Sequence, residues 1–138
     1  MARQPVGAIQ CLMISQPASF LLVDDEPAIH VVIGMFLREA GYVVGDAKGG
    51  MEGLRMFEEG SWDVVITDRA MPGMGGEQLA EEIRNISPDI PLILITGFLK
   101  ADTRVDLFDE ILEKPFRGAD LLACVRNVLD AKHVGSMC

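Results

Sequence analysis

From residue 20 onward, short apolar runs alternate with longer stretches of helical periodicity, and this alternation constrains the fold more than any other feature. Strand-like runs lie at 20–24, 42–47, 62–68, 91–97 and 110–114. The stretches between and after them predict helices at 27–40, 50–59, 75–86, 101–108 and 118–131, of which the fourth has a weak apolar pattern. Strands that alternate with helices in this way predict an α/β fold with a parallel sheet.

The order of the strands follows from the need to cover both faces of that sheet. Right-handed crossovers between successive strands favour the order 2-1-3-4-5. We therefore predict a doubly wound, five-stranded parallel sheet with helices on both faces, which is the flavodoxin-like arrangement. Ligands of such sheets bind beyond the carboxyl ends of the strands, where the order reverses, between the first and third strands.

Polar residues stand at the carboxyl ends of four predicted strands. The first strand runs into the segment "LLVDDEP", so that Asp24 and Asp25 follow an apolar run directly. The third, fourth and fifth strands end at Asp68, Thr96 and Lys114. Because the carboxyl ends of parallel strands share one edge of the sheet, these side chains are predicted to lie close together.

These residue types are suited to phosphoryl transfer. Several carboxylates in one crevice cannot all stay ionised unless a cation joins them. A hard ion such as Mg²⁺ relieves the repulsion and keeps water molecules that exchange with a phosphate. A carboxylate beside Mg²⁺ and a lysine can then attack phosphorus and form an acyl phosphate, because both cations neutralise the phosphoryl oxygens.

Four segments carry a family resemblance: "LLVDDEP", "VVITDRAMPGMGG", "LILITG" and "ILEKPF". In this order and at this spacing, over about residues 20 to 131, the chain resembles the receiver domain of two-component response regulators. The resemblance implies that Asp68 is the phosphoacceptor and that Thr96 and Lys114 hold the phosphoryl group. It also implies a cis peptide between Lys114 and Pro115.

The resemblance implies a metal site as well. Asp25 would bind Mg²⁺ directly and Asp24 mostly through water, while Asp68 and the main-chain carbonyl of Ala70 would be further ligands; Mn²⁺ can substitute. The domain would catalyse its own phosphorylation and dephosphorylation without being a conventional enzyme. Its partners would be a histidine kinase or histidine phosphotransfer protein, an unknown downstream protein and, in one arrangement, a second copy of itself.

Composition limits the other function classes. The net charge of −9 argues against direct binding to nucleic acid, and no apolar run approaches the roughly 20 residues of a membrane span. Three cysteines without a disulfide or metal spacing indicate reduced thiols in the cytoplasm. We expect a flexible tail at 1–19, for which a secretory signal is a minor alternative, a receiver domain at 20–131 and a second tail at 132–138.

Several alternatives use a similar fold. A dehalogenase-type phosphatase would need a second acid two residues after the nucleophile, where this chain has Ala70. A dinucleotide-binding module would need a glycine-rich turn after the first strand, and "DDEPA" has no glycine. Two further alternatives stay open: a receiver cut from a hybrid kinase or multidomain regulator, and a pseudo-receiver that docks without phosphorylation.

The segment between the fourth and fifth strands departs from the family pattern. The interval from Thr96 to Lys114 is about four residues shorter than expected, roughly one helical turn. Ile111 stands where the family usually has an aromatic residue that follows the threonine on activation. We therefore predict a short or irregular fourth helix, and a signal that travels by reordering of the backbone rather than by rotation of a ring.

Overall fold

The computed structural model describes residues 17–134. Its strands are β1 (Ser19–Val23), β2 (Val43–Ala47), β3 (Val64–Asp68), β4 (Leu92–Thr96) and β5 (Glu110–Glu113). Its helices are α1 (Pro27–Glu39), α2 (Gly50–Glu59), α3 (Gly76–Ile86) and α4 (Gly118–Val134). The predicted boundaries of these elements lie within two residues of the observed ones, except that α4 runs past residue 131 to Val134. The expectations for residues 1–16 and 135–138 lie outside the described part of the chain.

All five strands are parallel and follow the order β2-β1-β3-β4-β5, which confirms the predicted topology. Every residue of β3 and of β4 is buried. Their largely apolar sequences agree with this position, because a strand covered by helices on both faces has no solvent side. The sheet order reverses between β1 and β3, so the crevice at their carboxyl ends is open to a ligand.

The helices cover both faces, as predicted. On one face α1 and α4 pack through Ile33, Leu37, Leu121 and Val125 against alternate residues of the strands. On the other face α2 and α3 pack through Phe57, Leu79, Ala80 and Ile83 against the remaining strand residues. A fully buried aliphatic side chain contributes about 1.5–3 kcal/mol relative to an exposed one, so these two layers hold the strand ends in place. No helix within residues 17–134 is long and apolar enough to cross a membrane.

The fourth predicted helix is reduced to a single 3-10 turn, Val105–Leu107. The weak helix at 101–108 therefore does not form as an α-helix, and the prediction of a short or irregular element is confirmed. A short segment with few apolar residues cannot repay the cost of helix nucleation. Instead, the Arg84 guanidinium of α3 donates to the Leu107 carbonyl at 2.9 and 3.1 Å and forms an ion pair with Asp109.

Candidate functional site

Asp24 leaves β1 with its side chain turned into the protein. The residue is 1% exposed, and its Oδ1 accepts a hydrogen bond from the Glu26 N–H at 2.8 Å. Its Oδ2 is buried and has no hydrogen-bond partner, which is true of no other side-chain oxygen or nitrogen in the described residues. A buried carboxylate oxygen without a partner is costly, so this atom is placed to receive a cation or a donor from outside the chain.

Asp68 and Lys114 meet across the sheet edge. Asp68 ends β3, and its Oδ2 accepts the Ala70 N–H at 3.1 Å. Lys114 follows β5, and its Nζ lies 3.1 Å from Asp68 Oδ1 and 3.6 Å from Glu26 Oε1. The peptide bond between Lys114 and Pro115 is cis, as the resemblance implied. An ammonium group thus stands beside the carboxylate that is the candidate nucleophile.

Three carboxylates converge at this point. One oxygen from each of Asp24, Asp25 and Asp68 can be chosen so that all three lie within 4.8 Å of one another. Asp24 and Asp68 are buried, whereas Asp25 is exposed to solvent. Oxygen ligands at this spacing suit a hard divalent cation that keeps part of its water shell. The free oxygen of Asp24 agrees with such an ion, and these acids fit Mg²⁺.

The crowding of acids changes their proton affinity. Burial, followed by the nearby charges of Asp68 and Asp25, raises the pKa of Asp24 to about 6, although the Glu26 N–H and Lys114 oppose the shift. Partial burial acts to lower the pKa of Lys114, but the hydrogen bond and charge of Asp68, helped by Asp24 and Glu26, raise it overall. Lys114 therefore stays protonated and carries the only ammonium that contacts Asp68 within the described residues.

Thr96 ends β4 and is 3% exposed. Its hydroxyl forms hydrogen bonds within the turn that follows the strand. Its Oγ1 accepts the Phe98 N–H at 3.2 Å and lies 3.0 Å from the Phe98 carbonyl, to which it donates. The structure thus brings together Asp24, Asp25, Asp68 and Lys114, while the Thr96 hydroxyl is bound within its own turn. The hydroxyl must leave this turn before it can bind a phosphoryl group.

Two residues at the site make contacts that were not predicted from the sequence. Glu26 was one of the acids in "LLVDDEP", but nothing in that segment indicated its ion pair with Lys114. His30 of α1 contacts the Asp24 carbonyl through Nε2 at 2.6 Å and Asp46 through Nδ1 at 2.9 Å. The one available signal was spacing, since His30 lies in the first turn of the helix that follows the acids.

The family model for the response regulator receiver domain matches residues 20–126, which is most of the chain. The chain belongs to this family. It is a receiver domain of the kind found in two-component response regulators, and the predicted family and fold are confirmed. The acids at the ends of β1 and β3 form the acidic pocket of this receiver domain.

The chain matches only part of two much longer curated relatives. The chain is 42% identical over 85 residues to the transcriptional regulatory protein GlrR of Escherichia coli, a match that covers 62% of this chain and 19% of the relative. It is 35% identical over 127 residues to the sensor kinase CckA of Brucella abortus, with 85% of this chain and 13% of the relative covered. The chain thus spans less than a fifth of either relative.

Solved structures agree with the fold. A CheY-like receiver domain protein from Methanospirillum hungatei superposes with a TM-score of 0.82 at 28% identity, covering 86% of this chain and 98% of that one. The response regulator TrrA of Thermotoga maritima, crystallised with Mg²⁺ and BeF, has a TM-score of 0.76 at 35% identity, with 80% and 98% covered. TrrA also matches in the structure of its complex with the histidine kinase ThkA. That match has a TM-score of 0.74 at 35% identity and covers 81% of this chain and 98% of TrrA.

The raised pKa of Asp24 predicts how the metal-free receiver domain responds to pH. Its folded pKa of about 6 lies above the ordinary value of 3.8, so between these values the folded state holds a proton that the unfolded chain has released. Asp24 therefore raises the free energy of unfolding by about 1 kcal/mol as the pH falls from 7.5 to 5. The same contribution is lost as the pH rises again. Urea unfolding in the presence of a chelator measures the change.

Asp24→Asn isolates this contribution. The variant cannot ionise at this position, so its free energy of unfolding should be higher than that of the wild type at pH 7.5, and the difference should shrink toward pH 5. Asp89→Asn is the control, because Asp89 is exposed in the turn between α3 and β4. If the curves for wild type and Asp24→Asn stayed parallel across this range, the burial of an ionised Asp24 would not be the cause.

Proposed function

We propose that Asp68 of this receiver domain accepts a phosphoryl group from a histidine of a kinase or a histidine phosphotransfer protein. One observation carries the proposal: the Lys114 ammonium lies 3.1 Å from Asp68 Oδ1, at the place where the three acids converge. Asp24, Asp25, Asp68 and the Ala70 main-chain carbonyl would hold Mg²⁺, and Mn²⁺ would be accepted in its place because its preference for oxygen ligands is similar.

Each group has a part in the transfer. A carboxylate oxygen of Asp68 attacks phosphorus, the bond from phosphorus to the donor histidine nitrogen breaks, and the histidine retains that electron pair. The Ala70 N–H at 3.1 Å from Asp68 Oδ2 fixes the orientation of the carboxylate. Lys114 neutralises phosphoryl oxygens as charge develops. When bound, Mg²⁺ supplies further charge neutralisation at the same oxygens.

The domain's wider setting is also proposed. TrrA forms a complex with a histidine kinase, which supports a kinase as the partner of this receiver domain. The match to the sensor kinase CckA makes a hybrid kinase one reasonable setting, and the match to GlrR makes a transcriptional regulator another. In either case we place the domain in the cytoplasm, with a downstream protein or a second copy as its target. The net charge of −9 disfavours nucleic acid as that target.

The segment between β4 and β5 is the proposed output surface. The Glu77 carboxylate of α3 accepts the Arg104 N–H at 2.8 Å and pairs with the Arg69 guanidinium at 3.0 Å. Arg69 also pairs with Asp102 at 3.6 Å. We call these four residues the Glu77 latch. It connects the residue directly after Asp68 to the backbone of the segment.

The contacts of the latch differ in strength. The Arg69–Glu77 ion pair is partly buried, whereas Asp102 is exposed, and ion pairs of exposed residues contribute about 0–1 kcal/mol, so the Arg69–Asp102 contact adds little. If the Thr96 hydroxyl turns toward a phosphoryl group on Asp68, its two hydrogen bonds to Phe98 break. Phe98 then loses its hydrogen bonds to β4, while the latch still holds Asp102 and Arg104 near α3. Phosphorylation would thereby reorder the backbone of residues 98–104.

Asp68→Asn should abolish phosphorylation while leaving the fold intact. The amide has the shape of the carboxylate but is not a nucleophile, so incubation with Mg²⁺ and a small acyl-phosphate donor should add no base-labile acyl phosphate. Mass spectrometry of the intact protein measures the added phosphoryl group. Asp89→Asn serves as the control and should be modified like the wild type. A variant Asp68→Asn that still gained the phosphate would move the phosphoacceptor to another residue.

Hydrogen exchange should locate the output surface. With Mg²⁺ and beryllofluoride as the phosphate mimic, we expect amides of residues 98–112 to exchange at changed rates, while those of β1 and β3 keep their protection. Glu77→Gln, which weakens the latch, should raise exchange at residues 102–104 even without the mimic. Unchanged exchange across 98–112 in a sample whose Asp68 is demonstrably occupied would show that the signal leaves by another surface.

A further inference from the structure

His30 occupies the space between the end of β2 and the loop that follows β1. Its side chain is 14% exposed, although it lies in the first turn of a surface helix. Nε2 lies 2.6 Å from the Asp24 carbonyl oxygen, and Nδ1 lies 2.9 Å from Asp46 Oδ1. The ring thus contacts the main chain of a proposed metal ligand on one side and a carboxylate on the other.

The two oxygen atoms that face the His30 ring determine the hydrogen bonds that the ring can form. A carbonyl oxygen can only accept, so Nε2 is the donor to Asp24. Asp46 is an acceptor as a carboxylate, and it also pairs with Arg38 at 3.3 Å. Nδ1 faces the Asp46 carboxylate at 2.9 Å, so the ring spans the gap between the loop after β1 and the end of β2.

Asp24 is consequently bonded through both of its main-chain groups. Its N–H donates to the Ala47 carbonyl at 3.1 Å, and its carbonyl accepts from His30. Ala47 and Asp46 are neighbours at the end of β2, so both bonds tie Asp24 to the same strand end. The carboxylates of Asp24, Asp25 and Asp68 repel one another, and a loop held at two points resists the opening that this repulsion favours.

We propose that His30 is a positioning residue for the metal site. By bridging the Asp24 carbonyl and Asp46, it keeps the carboxylates of the β1 exit loop converged on Asp68 before the ion arrives. This inference rests on the proposed function, in which these acids hold Mg²⁺. Both ring nitrogens of His30 face protein oxygens, those of the Asp24 carbonyl and the Asp46 carboxylate, so His30 would act on the ion only through Asp24. Outer partners that orient metal ligands typically change affinity by about 10–100-fold when removed.

The test is the Mg²⁺ dissociation constant of the unphosphorylated receiver domain, measured by calorimetric titration. His30→Leu removes both hydrogen bonds and keeps much of the side-chain volume, and we expect it to weaken Mg²⁺ binding about tenfold. Val32→Ala is the control, because Val32 lies on the same helix and is 44% exposed. It should bind Mg²⁺ like the wild type.

A purely structural role for His30 gives a different result. His30→Leu would then unfold at lower urea concentration, but the folded protein would bind Mg²⁺ within twofold of the wild type, and the proposal would be overturned. If His30→Leu does not fold, Asp46→Ala carries the test: it removes the side-chain partner of Nδ1 and leaves the contact of Nε2 with the Asp24 carbonyl, so we expect a smaller loss of about threefold. An unchanged dissociation constant in that variant would equally overturn it. A wild-type protein that binds no Mg²⁺ would instead refute the proposed function.

Discussion

Repulsion among the acids at the carboxyl ends of β1 and β3 is the constraint on which the rest of the site depends. Two of the three, Asp24 and Asp68, are buried, and one oxygen of Asp24 has no partner. Within the chain the charge is offset only in part, by Lys114 beside Asp68 and Glu26. Such an arrangement lowers the stability of the metal-free fold. The same excess of negative charge gives the site its affinity for a divalent cation.

The two apolar layers make this arrangement possible. Because β1 and β3 are covered on both faces, their ends cannot separate to relieve the repulsion. Tethers to the edge strand β2 act in the same direction, through the Ala47 carbonyl and through His30. The rigid sheet thus presents acids in a geometry that a flexible loop would not keep. A switch that responds to one phosphoryl group needs such a fixed starting state.

Sequence reasoning succeeded where the signal is periodic or topological. The apolar runs and helix stripes predicted the strands, their order and the edge at which Asp68 and Lys114 meet. It did not reach details that depend on side-chain conformation. The hydrogen bonds of the Thr96 hydroxyl to the Phe98 main chain are one such detail, and the role of Thr96 toward a phosphoryl group stays a prediction. The contacts of His30 and Glu26 join residues whose proximity the packed tertiary structure determines. The one sequence signal was the position of His30 in the first helical turn after the acids.

The central claim, that a divalent cation binds among Asp24, Asp25 and Asp68, is tested most directly by paramagnetic broadening. Substoichiometric Mn²⁺ added to the uniformly ¹⁵N-labelled protein should first broaden the amide signals of residues 24–26 and 68–70, and excess Mg²⁺ should restore them. The indole signal of Trp62, which lies before the opposite end of β3, should stay sharp. Broadening centred on another acidic surface, or broadening that Mg²⁺ does not reverse, would contradict the account.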